Sequence, residues 1–169
     1  MLELDAICRR YTVVEARLDH ARAMAPVMRP GDRGEIWAAA GVDPLRGLKI
    51  SLDASLYAWT WLIDDQPACM FGVGATSLLS GTGIPWLLSA TLVDRHWLPF
   101  LKYYRPFLER MRADFPILTN WVDARYAAAL RWLRWMGFQV FPAEPYGPFA
   151  MPHHRFELRS VDVQWGVPA

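Results

Sequence analysis

The sequence predicts one α+β domain, and three features predict it. The chain has 169 residues, 53% of them hydrophobic, which is enough for one well-buried core and too few for two ordinary domains. Its middle is β-like, with three β-branched and aromatic runs separated by short turn signals. On either side, apolar residues recur with helical spacing. Residues 1–169 are therefore read as a single domain.

Taken in order, "YTVVEA" (Tyr11 to Ala16) is short and β-branched and reads as a first strand. "ARLDHARAMAPVM" follows with Leu18, Ala21, Ala25 and Met28 at helical spacing. In "RPGDRGEIWAAAG", Asp32 lies three residues before Glu35, a capping-box-like start, and Gly41 is a stop. Asp43 followed by Pro44 offers another cap and first-turn proline. "SLYAWTWLI" and "ACMFGVGAT" flank the turn signal "DDQP" and read as a hairpin. After "SGTG", the run "IPWLLSATLV" (Ile84 to Val93) is apolar on both faces, which suits a central strand. "WLPFLKYYRPFLERMRADF" is helical in spacing, and Pro106 inside it is expected to kink the helix or mark a restart, since an interior proline costs ~3 kcal/mol. "ILTNWV" is a strand. Asp123 is expected to cap the next helix, with a buried stripe at Tyr126, Ala129, Leu130 and Leu133 and a stop at Gly137. "FQVF" resumes as a strand. Residues 142–153 read as a proline- and glycine-rich loop, and "RFELRSVDVQW" closes the chain as a last strand.

Composition narrows the function. Formal charge is +1 and the sequence pI about 7.8, which gives no electrostatic footprint for nucleic acid. The most apolar run is about half the length a bilayer span needs, and the N-terminal residues lack a signal-peptide pattern. Cys8 and Cys69 have no metal-type spacing and read as reduced thiols. Nine tryptophans raise the prospect of an aromatic contact surface, because Trp is enriched at interfaces.

The stretch "DARYAAALRWLRWMGFQVF", with Ala129 and "MGF" at Met136 to Phe138, resembles the closing helix and strand of the GCN5-related N-acetyltransferase (GNAT) family. That resemblance implies a GNAT-like, mostly antiparallel mixed sheet with helices on both faces. It also implies acetyl-CoA held where the central strand meets the next helix. At that junction, "LVDRHWLPFLKYY" contains no glycine. The family's usual phosphate cradle depends on close backbone approach, and its usual tyrosine acid is here Leu133. A second resemblance rests on "MRPGDRGEI", "GIPWLLSATLV" and "LRWLRWMGF" and covers most of Val27 to Glu157. These runs are similar to podophage proteins related to internal virion protein A of T7-like phages. This implies a virion-associated docking protein on an acetyltransferase-like fold, made in the bacterial host cytoplasm and found in the virion. Its partners would be other virion proteins such as portal, adaptor or tail components, with no cofactor. The alternative is an acetyl-CoA-dependent N-acyltransferase.

Candidate site residues follow from these two readings. Val93, Asp94, Arg95, His96 and Trp97 would border the cofactor; the bland reading is a polar strand end with Asp94 as a helix cap. His96, Tyr103, Tyr104 and Tyr126 are the candidate acids and bases. Trp132, Trp135, Tyr146 and Phe149 are the candidate partner contacts, the two tryptophans packing under the proline-rich loop in the alternative. Asp64 and Asp65 read as a solvated turn, and His153 with His154 as no metal site. Arg29, Asp32, Arg33 and Glu35 border the acceptor side of a GNAT-like fold, and their bland reading is capping and surface ion pairing.

Overall fold

The computed structural model describes residues 10–75 and 77–160. Cys8 and the last residues of the expected final strand lie outside them. Strand β1 spans Tyr11–Glu15, and helices α1 (Leu18–Met24), α2 (Pro30–Ala40) and α3 (Pro44–Asp53) follow. Strands β2 (Ser55–Ile63), β3 (Gln66–Ala75) and β4 (Thr82–Ser89) form the meander. Helix α4 (Trp97–Asp114), β5 (Ile117–Asp123), α5 (Ala127–Trp135), β6 (Gln139–Tyr146) and β7 (Met151–Arg159) complete the chain. The seven strands form one sheet in the order β1-β2-β3-β4-β5-β7-β6.

Alternation along the strands divides the core. Met70 and Leu88 join Met24, Met28, Ile36 and Leu48 under α1–α3. Phe71, Val122 and Phe156 join Phe100, Leu108, Leu130 and Leu133 under α4 and α5. Among the described residues, no helix is long and apolar enough to cross a membrane.

The meander follows its turn chemistry. Asp64 and Asp65 both take positive φ, as a two-residue hairpin turn with matching twist requires. Asp43 caps α3, accepting from the Arg46 N–H at 3.1 Å, and Gly41 ends α2 in the left-handed region at φ 66.

Five expectations change. The run from Ile84 to Val93 is a strand only as far as Ser89; Thr91–Arg95 is a 3₁₀ turn. Of the two outcomes expected at Pro106, a restart of α4 is ruled out, because the helix is continuous through it; Pro106 is exposed, so water can serve the carbonyl it leaves unpaired. Asp32 does not cap α2, which begins at Pro30 with Arg29 as cap. Asp123 does not cap α5, which begins four residues further on, at Ala127, with Tyr126 as cap; its carboxylate instead accepts from the Arg125 N–H and guanidinium. The 142–153 segment is not a loop: β6 runs to Tyr146, β7 starts at Met151, and only a tight turn of four residues joins them.

β4 and β5 set up the site. They run parallel but pair only at Thr82–Ile117 and Gly83–Leu118. Beyond Gly83 they part, so the sheet opens in its own middle.

Candidate functional site

The parted strands lead into a cleft of about 1040 Å³ that reaches both faces of the sheet. On one side it meets α2, and on the other it runs between α4 and α5. The free edge of β4 forms its spine. The Ala90 N–H donates to Ala68 of β3 at 2.8 Å, so the alternate residues Pro85, Leu87 and Ser89 turn their backbone groups away from β3 and toward the opening. Pro85 O accepts from Asn120 Nδ2 at 2.9 Å. Ser89 O accepts from the Arg29 N–H at 2.9 Å, and the Ser89 N–H donates to Asp32 Oδ2 at 2.9 Å. That leaves the N–H and C=O of Leu87 as the pair on this edge without a protein partner among the described residues.

Asp32 explains why an acid sits in this helix. Its Oδ2 also accepts from the Ser89 hydroxyl at 2.7 Å, so the carboxylate stands in for the missing strand neighbour. Burial raises its pKa above the ordinary carboxylate range, against the Ser89 hydrogen bonds. Glu35, one turn further along α2, accepts from the Asp123 N–H at 3.4 Å. Burial, followed by the charges of Asp32 and Asp123, pushes the Glu35 carboxyl up to about 8. The Tyr126 ring lies over Gly31, where any Cβ would overlap it. Burial and the neighbouring Asp32 raise the Tyr126 phenol.

The far wall of this acidic end is aromatic. Trp121 of β5 stacks on Tyr146 of β6 with centroids 4.6 Å apart and planes 15° apart. His153 of β7 meets Tyr146 edge-on at 5.2 Å. Its Nδ1 pairs with Met151 O at 2.8 Å, while Nε2 is buried without a partner among the described residues. Burial alone would raise the Asp123 carboxyl, but the Arg125 guanidinium and N–H hold it below its ordinary value. The β6–β7 turn seats on α2: Gly147 lies against Ala38 O, and Phe149 stacks on Trp37 at 5.4 Å.

The structure sorts the sequence candidates. Val93, Asp94 and Trp97 line the cleft. Arg95 and His96 do not; the His96 Nδ1 pairs with the Tyr11 hydroxyl at 2.9 Å on the β1 side. Tyr103 also points there, packing on Tyr11 and Trp61. Tyr104 and Tyr126 open on the cleft, and burial raises the Tyr104 phenol. Asp94 is no helix cap; its Oδ1 pairs with Arg29 Nε at 3.1 Å. Trp132 packs against neither a proline-rich loop nor the outside: its ring contacts Phe100 and Tyr104 inside the cleft. Trp135 is 64% exposed, and Phe149 50%. Tyr146 belongs to the acidic end of the cleft.

Asp32 and Glu35 are not the surface ion pairs of the bland reading. Their role is invisible in a linear pattern, because the β4 edge and Asp123 that hold them lie more than fifty residues away. Spacing alone would mark only that they share one face of a helix. Among the described residues, no group of His, Cys, Asp and Glu could hold a metal ion.

No protein-family model matches the chain, and no curated protein matches it. Solved structures do. Ard1 from Thermoplasma volcanium superposes with a TM-score of 0.70 at 10% identity, over 89% of this chain and 97% of that one. A GNAT-family protein from Chromobacterium violaceum gives 0.65 at 15% identity, covering 90% and 89%. The yncA protein of Salmonella typhimurium, solved with its cofactor acetyl-CoA, gives 0.61 at 13% identity, covering 89% and 94%. The chain therefore has a GNAT-like α+β fold.

Proposed function

We propose that the chain is an acyl-CoA-dependent N-acyltransferase, with the donor between α4 and α5 and an amine acceptor approaching past α2 and the β6–β7 hairpin. The observation that carries this reading is the parting of β4 from β5, with a cleft running through it to both faces. The groups present suit a thioester on a pantetheine arm. The Leu87 N–H and C=O offer an amide the partners it needs. The start of α4 offers the N–H groups of Trp97 and Leu98 to phosphate, although Pro99 has none. The missing glycines weaken that end. Arg29 offsets the charge of Asp94 there.

Bound in this cleft, the donor would supply a thioester carbonyl carbon, with the N–C bond forming as the C–S bond breaks. Glu35 takes the proton of the acceptor nitrogen, because its raised pKa matches that task near neutral pH. A phenol held protonated gives its proton to the leaving sulfur and is restored by the second proton that the acceptor nitrogen sheds. Tyr104 and Tyr126 both meet that requirement on the cleft; Y104F and Y126F identify which one acts. Trp121, Tyr146 and the acidic end suit a cationic amine.

Titration calorimetry with acyl-CoA donors from acetyl to octanoyl tests the proposal: micromolar binding of at least one is expected, and the absence of both heat and a thermal shift with every one of them at millimolar concentration would refute it. In a transfer assay, E35Q should lower the rate about 100-fold and remove its rise toward pH 8.

A second reading, a virion docking protein meeting portal, adaptor or tail components, has its support in the sequence resemblance and in the exposed rings of Trp37, Trp135 and Phe149. The structural neighbours named above do not bear on it. Co-purification with phage particles, in a chain that fails to bind any of these acyl-CoA donors, would favour it over the enzyme.

A further inference from the structure

The cleft has two unlike ends. The end at α2 is acidic. The other passes Leu87 and continues beneath α5, where Val122, Leu133, Met136, Phe138 and Phe156 line it. These residues belong to the core under α4 and α5, each less than a tenth exposed. Apolar walls gain dispersion contacts from an apolar group that fills the space beside them. A chamber built this way is matched to an apolar occupant. The pantetheine arm does not account for it, because its amides need polar partners, and the five side chains named offer none.

We infer that the transferred acyl group is an apolar chain of medium length, housed in the chamber beneath α5, and that acetyl is a poor fit. This rests on the acyl-transfer reading and names the donor's chemical class. The thioester carbon lies along the β4 edge, the methylenes extend inward among the core side chains, and the cofactor arm leaves between α4 and α5.

The test is calorimetric, with acetyl-, butyryl-, hexanoyl-, octanoyl-, decanoyl- and dodecanoyl-CoA on the wild-type chain. Each methylene buried is worth up to about a fourfold gain in affinity, so octanoyl-CoA should bind at least ~100-fold more tightly than acetyl-CoA. The gain should stop once the chamber is full. Affinity that climbs with every added methylene through dodecanoyl marks adsorption to the surface and overturns the inference. In A129F, a ring fills the chamber mouth from α5, and the octanoyl-to-acetyl ratio should fall toward one; an unchanged ratio overturns the inference. Equal affinity for acetyl- and octanoyl-CoA overturns it and leaves the acyltransferase reading standing. No binding by any member of the series overturns both.

Discussion

Glu35 ties stability to pH in the direction opposite to most carboxylates. Its folded-state pKa is raised to about 8 by burial and by Asp32 and Asp123, whereas in the unfolded chain it is about 4.3. The folded state therefore binds the extra proton between these values. The stabilisation is fully present below the unfolded pKa and is lost as pH rises through about 8. Asp32 is shifted in the same direction and adds to the trend. The Glu35 side chain borders the cleft and keeps some water, so the loss between pH 5 and pH 9 is expected to be about 2–4 kcal/mol. E35Q retains an oxygen for the Asp123 N–H and cannot ionise. Urea unfolding of this variant at pH 5, 7 and 9 should show a much flatter profile, with the variant more stable than wild type at pH 9. Parallel profiles would mean that Glu35 is ionised in the folded protein.

At the scale of elements, local rules and distant contacts divide the outcome. The hairpin at Asp64–Asp65, the stop at Gly41 and the cap at Asp43 were legible because a turn or helix end is decided by the few residues that form it. The segment at 142–153 was not. Its prolines and glycine read as a loop, but three of the four prolines lie within β6 or β7 on strands paired antiparallel with each other. β6 is one of the sheet's two edge strands, where the missing N–H groups of Pro142 and Pro145 are tolerated. What remains is a tight turn whose Gly147 has φ +75, and an added Cβ would come 2.5 Å from Ala38 O. G147A meets both backbone strain and a backbone obstacle that cannot rotate away. It should cost about 2–3 kcal/mol and lift the hairpin from α2. The checks are a lower denaturation midpoint and loss of the Trp37–Phe149 stack, visible as a change in near-ultraviolet circular dichroism. A variant with wild-type stability and spectrum would show that the turn does not rest on α2.

For the whole molecule, the order of strands and helices was readable from periodicity, but the opening in the sheet was not. No residue pattern announces where two parallel strands cease to pair; that depends on how the sheet twists and on what occupies each vacated hydrogen-bonding group. The two halves, β1–β4 and β5–β7, are joined in their ladder only at Thr82–Ile117 and Gly83–Leu118. Asn120 extends the join with side-chain atoms: Nδ2 donates to Pro85 O across the gap, and Oδ1 accepts the Trp121 N–H at 2.8 Å. Asp32 of α2 fills the same β4 edge at Ser89 without crossing to β5. Between these two contacts only Leu87 is left open, so they define the width and position of the candidate donor site. N120A removes one of them, leaving a backbone acceptor on β4 and a backbone donor on β5 unpaired. Unsatisfied groups cost about 1–3 kcal/mol, less where the cleft admits water, so a loss of roughly 2 kcal/mol is expected in denaturant unfolding. Hydrogen exchange locates the effect. In wild type, the amides of Trp86 and Leu88, which face β3, should be far better protected than Leu87. N120A should speed exchange at Trp121 and leave Trp86 and Leu88 unchanged, because the β3–β4 ladder does not depend on the Asn120 contact. Uniform loss of protection across both halves would mean instead that the sheet opens as one unit and that the split is no independent feature of the fold.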